Sequence, residues 1–434
     1  DDSLLVSRDG PLPGAANWTH ECGDASRSFY SDDGRVAAPL GVLWYGDGPG
    51  YGFWKHKDYG IGVKPQVVGG RLFALQISSS TLYAYDVYTG RVLWSRKVEP
   101  FTRYVSQEDG VYVAGGNRCE VLDTATGEPR AGFSFQCEGV PTPFVADVRI
   151  AGDVVLIALA PEKVRVIEKG LWDSSHLVAL DRSTGTTLWR RKAAQRFNNN
   201  GLSMGRGLVF AIDSRSAIES QQDSRRGELS KELPSTILAI DARSGEVRWS
   251  RVTTNPYRTY GIGNWLGIRG NDDWVAYCRE ADLLLAGKSG RAYAFAAADG
   301  KPIWQRPTGA APWILRGDTF IHQGGGVCRI DNGEPVGEAF AIQRGGCNYA
   351  VASKHLLLVR ERSISYFDSE SRQKQSLFAV RSGCSNSLVA ADGVLSVPNF
   401  AVGCICNYPV QTSLAMILMP EATAWLPRES TAQE

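Results

Sequence analysis

Residues 83–94 read Tyr83-Ala84-Tyr85-Asp86-Val87-Tyr88-Thr89-Gly90-Arg91-Val92-Leu93-Trp94. An alternating apolar run leads to Asp, two spacers, Thr-Gly, three spacers and Trp. This pattern predicts a strand, a tight turn and a returning strand. The Asp carboxylate can take a backbone N–H two residues on, and Gly supplies the positive φ that closes the turn. The Trp then stands on the returning strand, where its ring can bury against a neighbouring sheet. Good copies run from Leu177 through Asp181 and Gly185 to Trp189, and from Leu238 through Asp241 and Gly245 to Trp249. A looser copy reaches from Tyr293 to Gly300 and Trp304, and degenerate ones sit at Asp123-Thr124-Ala125-Thr126-Gly127, Asp331-Asn332-Gly333 and Asp368-Ser369. The turn glycines recur every 33 to 60 residues. Periods of that length mark solenoids, propellers or arrays.

Between copies the chain stays strand-like, as in Val154-Val155-Leu156-Ile157-Ala158-Leu159 and His355-Leu356-Leu357-Leu358-Val359. No long stretch carries a 3.6-residue period. Small antiparallel sheets cannot bury both faces alone, and a closed ring of them removes that problem. The expected fold is therefore all-β, a single β-propeller over residues 1–428. Its 434 residues suit eight four-stranded blades, with seven as the alternative. Residues 1–60 form a closing segment and rim loop, 65–380 the recognisable repeats, 383–428 the last blade and 429–434 a loose tail. The last blade lacks the Asp-Gly-Trp turn, so the N-terminal segment is expected to pair into it and close the ring.

Forty-seven Lys and Arg against 46 acidic residues give a net charge of +1, which points away from nucleic acid. No apolar run is long enough for a transmembrane helix, and Asp1-Asp2-Ser3 resembles no signal peptide, so the chain is read as starting at a mature terminus. Nine cysteines with three methionines and no CxxCH motif suit an exported, disulfide-bearing protein, periplasmic or secreted.

The pattern Ala-x-Asp-x-x-Thr-Gly-x-x-x-Trp resembles the tryptophan-docking repeat of the pyrroloquinoline quinone (PQQ)-type propellers, a superfamily that contains quinoprotein alcohol dehydrogenases and the outer-membrane assembly lipoprotein BamB. The runs Trp18-Thr19-His20-Glu21-Cys22-Gly23-Asp24 and Gly403-Cys404-Ile405-Cys406-Asn407-Tyr408 are similar to secreted PQQ-like propeller proteins of planctomycete bacteria. The dehydrogenase branch implies a Trp floor for the quinone, a metal held by carboxylate and amide ligands, an Asp base and often a vicinal disulfide. This sequence has no Cys-Cys pair, and no matching Glu, Asn and Asp set is evident.

Candidate site residues come from three places. Arg344-Gly345-Gly346-Cys347 and Arg381-Ser382-Gly383-Cys384 repeat one phrase 37 residues apart, so both arginines and both cysteines are expected at one radial position, near a central channel. Cys404 and Cys406 fall on one face of a strand. Disulfides that staple the closing blades, involving Cys347 and Cys384, with Cys119 and Cys137 bridging a hairpin, are the plainest reading. A copper or zinc site on Cys404 and Cys406 with His20, and an anion or quinone site on Arg344 and Arg381, compete with it. Asn386, Asn407, Tyr408 and Asn199 could present polar side chains to the channel. His20, His56 and Trp54, with the glycine-rich loop at 46–52, either wall a ligand site or plug the ring.

The leading functional expectation is an exported, non-catalytic binding or scaffold propeller that engages another protein or an extracellular ligand. A quinone- or copper-dependent oxidoreductase is the alternative, with PQQ, calcium and copper as the cofactors it would need. A polysaccharide lyase or hydrolase using Trp54, His56 and Asn198–Asn200 is the third.

Overall fold

The computed structural model describes residues 12–46, 53, 63–137, 143–160, 173–215, 235–253, 274–288, 291–343, 349–361, 363–377, 380, 388–400, 410 and 412–421. The described chain is all-β, of the propeller type, and forms seven antiparallel sheets. The first contains Gln66–Val68, Arg71–Gln76, Thr81–Asp86 and Val92–Lys97, and the second runs from Arg103–Gln107 to Pro129–Ser134. The third is seven-stranded, because Thr187–Gly205 pairs backwards at Trp189 with Ala179 and forwards at Leu202 with Ala211. One long strand is thus the last of one repeat and the first of the next. The remaining sheets begin at Trp274–Cys278, Ile314–Arg316, Val351–Ala352 and Val389–Ala391.

The last sheet is completed from the other end of the chain. Leu40–Gly46 pairs antiparallel with Ser413–Leu418, as the missing strand of the final repeat requires. Burial within each sheet falls from first strand to last: Gln66–Val68 and Trp274–Cys278 are wholly buried, whereas most of Val92–Lys97 and Val247–Thr253 is exposed. First strands are therefore central and last strands peripheral.

The repeat works as its composition predicts. Asp86, Asp123, Asp181, Asp241 and Asp368 each accept N–H groups two and three residues on. The Ser244 N–H and then the Arg248 guanidinium hold the Asp241 carboxyl at about 2. The Trp of each repeat docks on the turn of the next. Trp94 donates Nε1–H to the Thr124 carbonyl at 3.0 Å, Trp189 to Ala242 at 2.8 Å, Trp249 to Ala297 at 2.9 Å and Trp304 to Ile330 at 2.8 Å. A Cβ on the receiving glycine would lie 2.7 Å from the Trp94 ring at Gly127, and 2.6 Å from Trp189 at Gly245. Glycine is needed there for its missing side chain as well as its positive φ. In the second sheet Phe133 takes the place of Trp against Gly185. Trp44, on the N-terminal strand, donates to the Val87 carbonyl at 2.8 Å and covers Gly90. The last repeat thus does have its tryptophan, supplied from residue 44.

The core consists of layers between adjacent sheets: Phe73, Trp94, Tyr104 and Val111 form one, and Phe210, Trp249, Tyr277 and Phe295 another. Cys119 stands opposite Phe133 in its hairpin and carries a free thiol. The expected Cys119–Cys137 bridge is therefore not formed: the pairing register places Cys137 beyond the end of the partner strand.

Candidate functional site

Residues 16–33 have little regular structure, so their backbone groups must find partners elsewhere. They find them on the first strand of one sheet after another. Trp18 exchanges N–H···O bonds with Val67 at 2.7 and 2.9 Å. The Thr19 carbonyl accepts from Ser106, Ala25 from Met204, Ser26 from Tyr277, Ser28 from Leu315 and Phe29 from Ala352. The Ala16 carbonyl accepts from Asp392, and the Asp33 carboxylate from Gly393. This segment runs round the meeting point of the sheets and is bonded to all of them. Trp18 and Phe29 are buried by it. The glycine-rich loop on which the wall-or-plug reading rests lies, beyond Gly46, outside the described residues, as do Trp54 and His56.

His20 occupies one station of this circuit. Its Nε2 accepts the Ile150 N–H at 3.1 Å, so Nδ1 carries the proton and donates to the Thr19 hydroxyl at 2.7 Å. Both nitrogens are engaged within the protein, and neither is left for a ligand. Burial, followed by Arg149 and Arg182, holds the imidazole well below 6.5. Below pH 6.5 the unfolded chain binds a proton that folded His20 refuses. Its stabilising contribution is therefore complete above 6.5 and is lost as pH falls towards the folded value, at up to about 1.4 kcal/mol per pH unit. Melting temperature measured from pH 8 to 5 should fall more steeply in the wild type than in His20→Gln; equal slopes would remove His20 from the account.

Above the segment, charged side chains converge from separate parts of the chain. Arg27 donates to the Asn199 carbonyl at 3.1 Å and the Asn200 side chain at 3.3 Å. Arg103 lies 3.7 Å from Glu21, and Arg149 lies 2.7 Å from Asp147. The Lys64 ammonium stands 3.6 Å from the centre of the Tyr349 ring, a cation–π contact. Burial lowers Lys64 to about 8, Arg27 adding to the effect while Cys22 and Glu21 oppose it. Burial likewise lowers Arg27 and Arg103 and raises the Cys22 thiol. Asn199, singled out from sequence, is here, its Oδ1 accepting from Ser174 at 2.8 Å. The other contributors were not singled out. The available signal was charge within strands otherwise apolar, as in Arg103-Tyr104-Val105 and Val145-Ala146-Asp147-Val148-Arg149-Ile150.

Arg344, Arg381, Asn386, Asn407, Tyr408, Trp54, His56, Cys347, Cys384, Cys404 and Cys406 lie outside the described residues. The set implied for a quinoprotein does not fit the part that is described. Its described carboxylates, Glu21 and Asp147, stand against Arg103 and Arg149, and no group of three His, Cys, Asp or Glu able to hold a metal occurs among the described residues. Trp18, Trp274 and Trp313 are each closed into the core and offer no open ring to a planar cofactor.

Comparison with known proteins places this geometry among relatives. A family profile described as outer membrane protein assembly factor BamB matches residues 171–392. Among solved structures, quinohemoprotein alcohol dehydrogenase from Comamonas testosteroni superposes with a TM-score of 0.55 at 12% identity, covering 93% of this chain and 80% of that one. A europium-containing methanol dehydrogenase gives 0.53 at 12% identity, covering 88% of each chain. At that identity the likeness is one of fold. Curated protein sequences give no match.

Proposed function

The chain belongs to the family of the outer membrane protein assembly factor BamB, and from that premise we propose that it is an exported, non-catalytic binding propeller. Its ring has eight blades, the seven-stranded sheet counting as two, and is closed by the Leu40–Gly46 strand. The observation that carries this reading is the circuit made by residues 16–33. The chain's own segment, tied to every sheet, fills the place where sheets converge. Binding then falls to the space above that segment and to the outer surfaces, with another protein as the expected partner. No helix among the described residues is long and apolar enough to cross a membrane.

The test is incubation of the purified chain with PQQ and calcium, followed by dye-linked oxidation of short alcohols. No turnover above background is expected, and native mass spectrometry of protein from its own host should show no excess mass matching quinone or metal. Saturable dye reduction, or a quinone-sized mass increment, would overturn the proposal in favour of an oxidoreductase.

A further inference from the structure

Among the described residues the centre carries more positive than negative charge. With Arg103 set against Glu21, the cations Arg27, Lys64 and Arg149 face one further carboxylate, Asp147, a surplus of two positive charges within that described set. Arg27 and Arg149 are each only 5% exposed. Burying charge without compensation is expensive, and removing guanidinium groups from water is repaid only by anionic partners.

Hydrogen-bond donors are in surplus as well. Nε of Arg27, Nε of Arg149 and the Nδ2 atoms of Asn198 and Asn199 are buried without a protein partner. The amides are held in place from their other ends: Asn198 Oδ1 accepts the Asn200 N–H at 2.9 Å, and Asn199 Oδ1 accepts from Ser174. Their NH2 groups are thereby left over. Solvent reaches the edge of this group, since the Glu21 side chain keeps 37% of its surface, while the Oδ2 of Asp147 that meets Arg149 is itself buried. Water could satisfy spare N–H groups, but it supplies no charge.

We infer that the centre binds a small doubly charged oxyanion, gripped by Arg27, Lys64 and Arg149 with the Asn198 and Asn199 amides completing the donor set. Guanidinium forks match carboxylate, sulfate and phosphate oxygens in a way that a metal ion or a sugar cannot use. This goes beyond the reading above, and it holds whatever docks on the outer surface.

Isothermal titration calorimetry of the full chain in a chloride buffer free of other oxyanions tests it, with sulfate and succinate as probes. Both remain dianions from pH 7 to 9, which keeps ligand titration out of the result. At least one should bind in about the micromolar to submillimolar range. Sulfate alone would mark a tetrahedral oxyanion site, and succinate a dicarboxylate site. Lys64→Met should weaken binding at least about tenfold, and Arg130→Gln, whose side chain is 56% exposed, should leave it unchanged. Wild-type affinity should also fall between pH 7 and 9, because Lys64 loses its charge near 8 among Cys22, Glu21, Arg27 and Tyr349. That series stands in if Lys64→Met does not fold. No binding of either anion below about 10 mM, or binding indifferent to both Lys64 and pH, would overturn the inference.

Discussion

Asp33→Ala should lose most of its resistance to urea. The fully buried Asp33 carboxylate accepts four backbone N–H groups, Ala16 and Gly393 on one oxygen at 3.0 and 2.9 Å, Arg35 and Val36 on the other at 2.9 and 3.0 Å. These groups belong to the start of the central segment, to the turn leading into the Leu40–Gly46 strand and to the hairpin of the last sheet. A single side chain therefore joins the two ends of the chain. The adjacent Asp392 extends the joint, accepting the Gly70 N–H at 2.7 Å while its carbonyl receives the Tyr88 hydroxyl. Alanine would strand buried donors at about 1–3 kcal/mol each. Even with water admitted to some of them, a loss of about 3–6 kcal/mol follows, against a total of about 5–15 for a folded protein. Asp33→Asn should sit in between, since its NH2 end would face two donors instead of accepting from them. Urea midpoints followed by tryptophan fluorescence decide the matter; a loss below about 1 kcal/mol for alanine would mean that Asp33 is not the joint.

Trp249→Ala comes second in expected cost. The indole is 6% exposed, lies on Gly300, donates to the Ala297 carbonyl and packs against Phe210 and Phe295. Truncation opens a cavity between two sheets whose strands are held in place by hydrogen bonding, so collapse into it is limited. The cost is about 3–5 kcal/mol. Trp249→Phe should recover most of that and lose about 1 kcal/mol with the N–H···O bond. The protein already contains this substitution elsewhere, where Phe133 covers Gly185. Gly300→Ala should fail at the same joint from the other side, because its φ is +69° and its new Cβ would lie 2.6 Å from the Trp249 ring. If Trp249→Ala and Trp249→Phe proved equally stable, docking would be irrelevant to the fold.

The repeat was legible because its determinants are local. An Asp that caps its own turn, a Gly two to four residues on and a Trp on the returning strand act within about a dozen residues, whatever the rest of the chain does. Trp44 escaped because its turn partner, Gly90, lies in a different repeat from the sheet it completes. Asn199 was legible as one of a run of amides. Arg27, Lys64, Arg103 and Arg149 carried no shared motif, and their spacing along the chain implies nothing about distance in space.

Local patterning thus determined the all-β class, the tight turns, the site of each docking tryptophan in the clear repeats and the need for the N-terminal strand to complete the last sheet. The circuit of residues 16–33 and the cationic centre above it were decided only by tertiary structure. Hydrogen bonds within a turn are set by neighbours in sequence, whereas the charge at the centre is set by which first strands a ring of sheets brings together.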